Sequence, residues 1–204
     1  MPTKKSVHHF INRYPILVVL LTLGLGACTT GNPSPNPAQG PIRETLSVCP
    51  GLRVSNAPAT DRRGYIQGFR PLQKVKGIAL LMAPAQGCLS SAYGRRRGGA
   101  GSIHKGIDLY TKSPTPFFAA GDGVISFIGR QRGYGRLIAI DHGKGVETRY
   151  AHLSTVREGL SVGKPVTRGT RLGETGRTGN ATAIHLHYEI LINGKQKDPF
   201  ALMR

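Results

Sequence analysis

GVISFIGRQRGYGRLIAIDHGKGVETRYAHL, residues 123–153, decides the fold class. GVISFIGR (123–130), RLIAIDHG (136–143) and VETRYAHL (146–153) are short runs rich in β-branched and aromatic residues, the composition of strands. Gly133-Tyr134-Gly135 and Gly143-Lys144-Gly145 separate them. Glycine-rich turns this short join antiparallel neighbours as hairpins. Downstream, GKPVTRGTRLGETGRTG (163–179) reads as short strands and turns, and AIHLHYEI (183–190) as one more strand. Upstream, VKGIALLMAP (75–84) reads as a buried strand leading into this region. With 28 Gly, 14 Pro and no Trp, the composition also favours many short strands and turns. The expectation is a mainly β chain whose domain, residues 83–204, is a small open antiparallel sheet.

The chain has 204 residues, enough for one such domain plus attachments. Lys4, Lys5 and Arg13 precede an apolar run from Ile16 to Leu25. That run fits the core of a signal peptide and is too short to span a bilayer as a helix. It ends in LGAC, Leu25 to Cys28, which resembles the cleavage pattern of a bacterial lipoprotein signal. The resemblance implies removal of residues 1–27 and lipid on Cys28. Each buried methylene of such a lipid contributes about 0.8 kcal/mol, so several chains hold a protein on a membrane. The alternative is ordinary cleavage nearby, with Cys28 left free. Thr29 and Thr30 follow, without Asp, which resembles sorting to an outer membrane in a two-membrane cell. The implied place is the cell envelope, facing the periplasm in such a cell.

Residues 28–45, with four prolines and little that is apolar, read as a tether from Cys28. Residues 46–82 have no clear period. They could be an accessory strand, a pro-segment covering a groove or a docking surface.

Lys and Arg number 28 against 10 acids. Residues 1–27 hold three of those cations and no acid, so the remainder carries 25 against 10, a net +15. Such charge often signals nucleic acid. An exported chain meets cell-wall polymers, anionic lipids and surface glycans instead. Arg95-Arg96-Arg97 is the densest run and reads as a solvated loop or an anion contact. Beyond Cys28, Cys49 and Cys88 remain, and in an oxidising compartment they could pair.

His8 and His9 fall within the leader, leaving His104, His142, His152, His185 and His187. On a strand, His185, His187 and Glu189 share one face. An H-x-H pair alone is weak evidence and is also met in ordinary strands. A second feature strengthens it: SIHKGIDLY (102–110) sets His104 four positions before Asp108. Gly106 and the β-branched neighbours favour a loop entering a strand there rather than a helix. Imidazoles with a carboxylate suit zinc. The third feature is Tyr150-Ala151-His152-Leu153 at a strand end. His142, in IDHGK at a predicted turn, reads as structural.

His-x-x-x-Asp, Tyr-Ala-His-Leu-Ser, then Thr-Gly and His-Leu-His-Tyr-Glu, in that order, resemble the lysostaphin-type (LytM domain) zinc metallopeptidases. KGIDL, AAGDGVI, IDHGKGVETRYAHLS, GETGRTG and Asp198-Pro199 extend the likeness over about residues 84–201. The resemblance implies an open antiparallel domain with short loops around a metal groove, and one Zn²⁺ per chain. It implies His104, Asp108 and His187 as ligands, and His152 and His185 as catalytic histidines. Spacing alone does not separate His185 from His187 as the ligand. Three ligands leave one tetrahedral position open, the mark of a catalytic site. A zinc-activated water would then attack a peptide bond while the free imidazoles move protons. Glu189 suits a hydrogen bond that orients a ligand, or a structural role.

The implied activity is that of a membrane-anchored zinc metalloendopeptidase, a hydrolase of peptide cross-links or bridges in peptidoglycan. The alternative is a LytM-type module that binds the wall and activates other hydrolases, but such modules typically lack part of this set. Nucleic acid is not expected as a partner, and no motif identifies a divisome or wall-hydrolase partner. Ala183-Ile184 stands where the family often has Gly-Pro, so a change in groove shape or substrate preference is expected.

Overall fold

The computed structural model describes residues 43–96 and 103–203. The leader, Cys28, nearly all of the tether, His8, His9 and Arg97 lie outside the described residues.

One eight-stranded antiparallel sheet organises the rest. Its strands are β1 (Cys88–Ser91), β2 (Ile107–Tyr110), β3 (Gly123–Gln131), β4 (Gly135–Asp141), β5 (Val146–Ala151), β6 (Pro165–Val166), β7 (His185–Ile192) and β8 (Lys195–Lys197). They run in the order β6-β3-β4-β5-β7-β2-β1, with β8 on the second half of β7. The β3–β4 and β4–β5 connections are the expected hairpins. A three-stranded sheet of 116–118, 171–174 and 155–156 and the hairpin Leu72–Val75 with Ile78–Leu81 accompany it. A two-stranded piece, 94–95 with 103–104, leads from β1 towards β2. The 3₁₀ turn Ala201–Met203 is the one helical element among the described residues.

Strand alternation divides the sheet into two faces. Leu186, Tyr188 and Ile190 of β7, Ile107 and Leu109 of β2, and Tyr150 of β5 are fully buried in one core. The residues between them, His185, His187, Glu189 and Asp108, fall on the opposite face. Residues 46–82 share that core through Leu46, Ile66, Val75, Leu80 and Leu81. A disulfide joins Cys49 to Cys88 at the start of β1. Tyr188 Oη donates to the Leu81 carbonyl at 3.0 Å, tying this segment to β7.

A buried polar chain crosses the core. The Ala120 N–H donates to Tyr150 Oη (2.8 Å), which lies 2.9 Å from Thr148 Oγ1. Thr148 Oγ1 is 2.8 Å from His142 Nε2, and His142 Nδ1 is 2.7 Å from the Asp122 carbonyl. One proton order satisfies every link: each hydroxyl donates to the next group and His142 Nδ1–H ends the chain on Asp122. That order needs a neutral His142 with an accepting Nε2. Burial pushes the His142 imidazole below its ordinary value, in the same direction. His142 therefore caps the edge of the core, half-buried, rather than joining the histidine cluster of β7.

Thr148→Val should strand both His142 Nε2 and the Tyr150 hydroxyl and cost about 1–3 kcal/mol in urea unfolding. The pH dependence has a definite sign. Below about pH 6.5 an unfolded imidazole takes up a proton that folded His142 resists, so the folded state loses stability as pH falls. Between pH 7 and 5, His142→Gln should show a shallower decline in unfolding free energy than the unsubstituted chain.

Candidate active site

Register builds the site. β7 pairs with β2 so that His187 stands directly opposite Asp108, and with β5 so that His187 stands opposite Ala151. Directly opposed residues have Cβ atoms about 4.5–5.5 Å apart, so a histidine and an aspartate meet. His187 Nδ1 is 2.8 Å from Asp108 Oδ1. His104, at the end of the strand piece before β2, brings its Nε2 to 3.1 Å from both of these atoms. Gly106 permits this close packing. A Cβ there would lie 2.2 Å from the Tyr188 carbonyl oxygen and 3.0 Å from Glu189 Cγ.

Among the described residues, His104, Asp108 and His187 form a group able to hold a metal ion. The spacing fits zinc. Tetrahedral ligands at about 2.0–2.1 Å from an ion stand about 3.3–3.5 Å from one another, close to the separations present. The far ring nitrogens are also engaged. His104 Nδ1 is 2.8 Å from the Ala92 carbonyl and 3.2 Å from Ser91 Oγ. His187 Nε2 is 3.1 Å from Glu189 Oε1. With a metal bound, donation from these far nitrogens would leave His104 Nε2 and His187 Nδ1 as the electron pairs that face the ion.

Electrostatics couples the group tightly. Burial disfavours the Asp108 carboxylate, but the bonds from His104 and His187 outweigh it and hold the acid well below the usual carboxylate range. Burial likewise disfavours a charged His187, and Asp108 with Glu189 overcomes it, raising the imidazole to about 9. A metal-free site thus stores a proton between its two carboxylates, in the place a cation would take. Arg96 Nη2 donates to Asp108 Oδ2 at 3.0 Å and its Nε to Ser91 Oγ at 3.1 Å. Arg96 thus occupies Oδ2, and Asp108 turns Oδ1 towards the histidines.

Glu189 is fully buried. Burial opposes its ionisation, but His187, Tyr134 and Arg149 hold it below its ordinary value. Tyr134 Oη donates to Glu189 Oε1 at 2.8 Å, and Arg149 Nη1 lies 4.0 Å from Oε2. Burial first, and then Glu189, pushes the Tyr134 phenol up to about 12, so it stays protonated and donating.

Two further imidazoles flank the group. His152, just past β5, has φ 63°. Its Nδ1 donates to the Thr178 carbonyl at 2.7 Å and its backbone N–H to the Tyr134 carbonyl at 2.9 Å. Burial chiefly lowers His152, to about 4, so Nε2 is unprotonated near neutral pH. His185 Nδ1 is 2.9 Å from the Ala183 carbonyl, and its Nε2 is 3.6 Å from Asp108 Oδ1. The His152 ring centroid is 4.7 Å from that of His185 and 5.7 Å from that of His187. Gly135 lets the β3–β4 turn approach closely enough to complete this side. Its φ is +67°, and a Cβ would lie 2.4 Å from Thr178.

These side chains line an open groove of about 430 Å³ with Arg96, Ile103, Lys105, Gly133, Tyr134, Asn180 and Thr182. No residue of 46–82 lines it. The groove brings together His104, Asp108, His152, His185, His187 and Glu189. It excludes Cys49 and Cys88, whose disulfide lies elsewhere. The sequence places Tyr134 only in a turn and Arg96 only in a basic run that reads as a solvated loop or an anion contact, without assigning either to the site. Tyr134 sits in a run whose glycines announce only a turn. Arg96 lies in a basic run that gives no sign of a carboxylate partner 12 positions away.

Comparison with known proteins agrees with this geometry. The model of Peptidase family M23 matches residues 102–199. Over 100 residues the chain is 44% identical to the DD-carboxypeptidase/endopeptidase Mpg of Neisseria meningitidis, covering 49% of this chain and 23% of that protein. The chain thus spans about a quarter of that relative's length. It is 35% identical over 152 residues to the uncharacterized lipoprotein YgeR of Escherichia coli, covering 72% of this chain and 58% of that one. The structure of Helicobacter pylori Csd3 superposes with a TM-score of 0.55 at 28% identity, over 71% of this chain and 40% of that chain. Ordered motifs, open antiparallel sheet and histidine–aspartate cluster have one reading: residues 102–199 form a domain of the peptidase family M23, or lysostaphin, type.

Proposed function

We propose that this protein is an envelope-anchored zinc endopeptidase that hydrolyses peptide cross-links or bridges of peptidoglycan. The observation that carries the reading is the convergence of His104 Nε2, Asp108 Oδ1 and His187 Nδ1 to within 3.1 Å of one another in an open groove. His104, Asp108 and His187 would hold one Zn²⁺. Zinc, when bound, supplies a Lewis acid that acidifies water and polarises a carbonyl.

The chain's own groups supply the proton traffic. His152 and His185 each commit Nδ1 to a backbone carbonyl, so each presents Nε2 to the groove. An unprotonated Nε2 accepts the proton of the attacking water. Returned to the departing nitrogen, that proton completes hydrolysis: one C–N bond breaks, and water supplies OH to the acyl part and H to the amine. Two imidazoles at 4.7 Å can divide these tasks, one serving the water and the other the oxyanion or the amine. Glu189 orients His187 through Nε2 and is itself held by Tyr134.

Support for the substrate comes from relatives. The Neisseria protein is named a DD-carboxypeptidase/endopeptidase, and the Vibrio cholerae relative ShyA, 38% identical over 92 residues, a peptidoglycan DD-endopeptidase. Support for anchoring comes from the signal-like leader ending at Cys28 and from the lipoprotein name of the YgeR relative.

The full chain, purified in detergent, should contain about one zinc by elemental analysis and release soluble fragments from purified peptidoglycan. His187→Ala should lose both zinc and activity. His152→Ala should keep the zinc and lose activity by at least about a hundredfold. Zinc without fragment release from the unsubstituted chain would favour the wall-binding activator, and failure to take up added zinc would remove the enzyme reading. Glu189→Gln keeps the shape but weakens the acceptor for His187, so zinc affinity should fall about 10–100-fold in chelator competition.

A further inference from the structure

The groove is electrically lopsided. Sheet order places β2 and β1 on one flank of β7 and β5, β4 and β3 on the other. The first flank brings Arg96 and Lys105 to the groove beside His104. The second brings Gly133, Tyr134, Asn180 and Thr182, all uncharged. These four belong together, since the Asn180 N–H donates to the Gly133 carbonyl at 2.9 Å. One wall is cationic and the other offers amides and hydroxyls.

The cations differ in their engagement. Arg96 is positioned by Ser91 and Asp108 through Nε and Nη2, and its side chain stays 45% exposed. Its Nη1 has no bond among the described residues. Lys105 is exposed and makes no hydrogen bond or ion pair among the described residues. The two acids of the groove are already answered. Asp108 is taken by His104, His187 and Arg96, and Glu189 Oε1 by His187 and Tyr134, while its buried Oε2 has only Arg149 Nη1 near it, at 4.0 Å. Lys105 therefore puts a positive charge with no partner among the described residues at the mouth beside His104.

On the reading of the site as a peptidase, we propose that Lys105, with Arg96 beside it, forms a subsite for a substrate carboxylate, so that the enzyme selects acidic peptides and orients them by charge. The acid lies on the β2 flank and the uncharged part of the peptide crosses towards Asn180 and Thr182. A carboxylate and its carboxamide differ in charge but scarcely in shape. Those two forms would be told apart here. A partly exposed ion pair of this kind is worth a few-fold in affinity and weakens with salt.

The test uses fluorescein-labelled cross-linked stem-peptide dimers, identical except that single carboxylates on either side of the cross-link are free or amidated. Binding to the full chain with added EDTA, read by anisotropy, is separated from cleavage with zinc present. The expected result is that amidating one carboxylate weakens binding about fivefold at low salt. Lys105→Gln should bring that ratio close to one, Lys105→Arg should restore it and Lys105→Glu should invert it. Equal binding of free and amidated dimers, or a ratio unmoved by Lys105→Gln, overturns the subsite. Cleavage reports separately. A chain that binds with this preference but cuts no dimer keeps the subsite and loses the peptidase reading. One that cuts every dimer alike and ignores Lys105 does the reverse.

Discussion

The pairing of β7 with β2 is the constraint on which the site depends. It sets His187 opposite Asp108, and a slip by one residue would send His187 into the core and Leu186 into the groove. The core prevents that slip. Leu186, Tyr188 and Ile190 are fully buried, and Tyr188 is held by its bond to Leu81. Apolar packing on one face thus fixes the positions of charged ligands on the other. Thr148, Tyr150 and His142 strengthen the arrangement because their buried chain of hydrogen bonds is satisfied in one proton order.

The buried charge on the site face is largely answered, with Glu189 Oε2 the one buried side-chain oxygen among the described residues left without a hydrogen bond. Asp108 and Glu189 would be costly carboxylates if isolated. Both close on His187, Asp108 adds Arg96 and Glu189 adds Tyr134. Two buried acids acting through one imidazole form a strong trap for a proton, and equally for a divalent cation that excludes it. The same closure leaves His152 and His185 outside the trap, each with one ring nitrogen facing the groove.

Much of this was legible in the sequence. Runs of β-branched and aromatic residues between glycine-rich turns marked the antiparallel strands at 123–131, 135–141 and 146–151 nearly to their ends. The face shared by His185, His187 and Glu189 follows from strand geometry alone. Choosing between His185 and His187 required family likeness, because both lie on that face and only register decides which meets Asp108. Arg96 and Tyr134 were not legible, since each reaches the site across a sheet pairing or a turn that local pattern does not encode. The left-handed backbone of His152 likewise has no local signal, because Tyr134 and Thr178 impose it from other parts of the chain.

Every role proposed for these side chains rests on hydrolysis of a peptide cross-link in the groove. Its most direct test is mass spectrometry of peptidoglycan fragments after digestion by the zinc-loaded chain in heavy-oxygen water. Cross-linked dimers should give way to monomers, with one heavy oxygen in the new carboxyl group of one partner and intact glycan. Dimers that persist, or new ends in the glycan instead of the peptide, would contradict it.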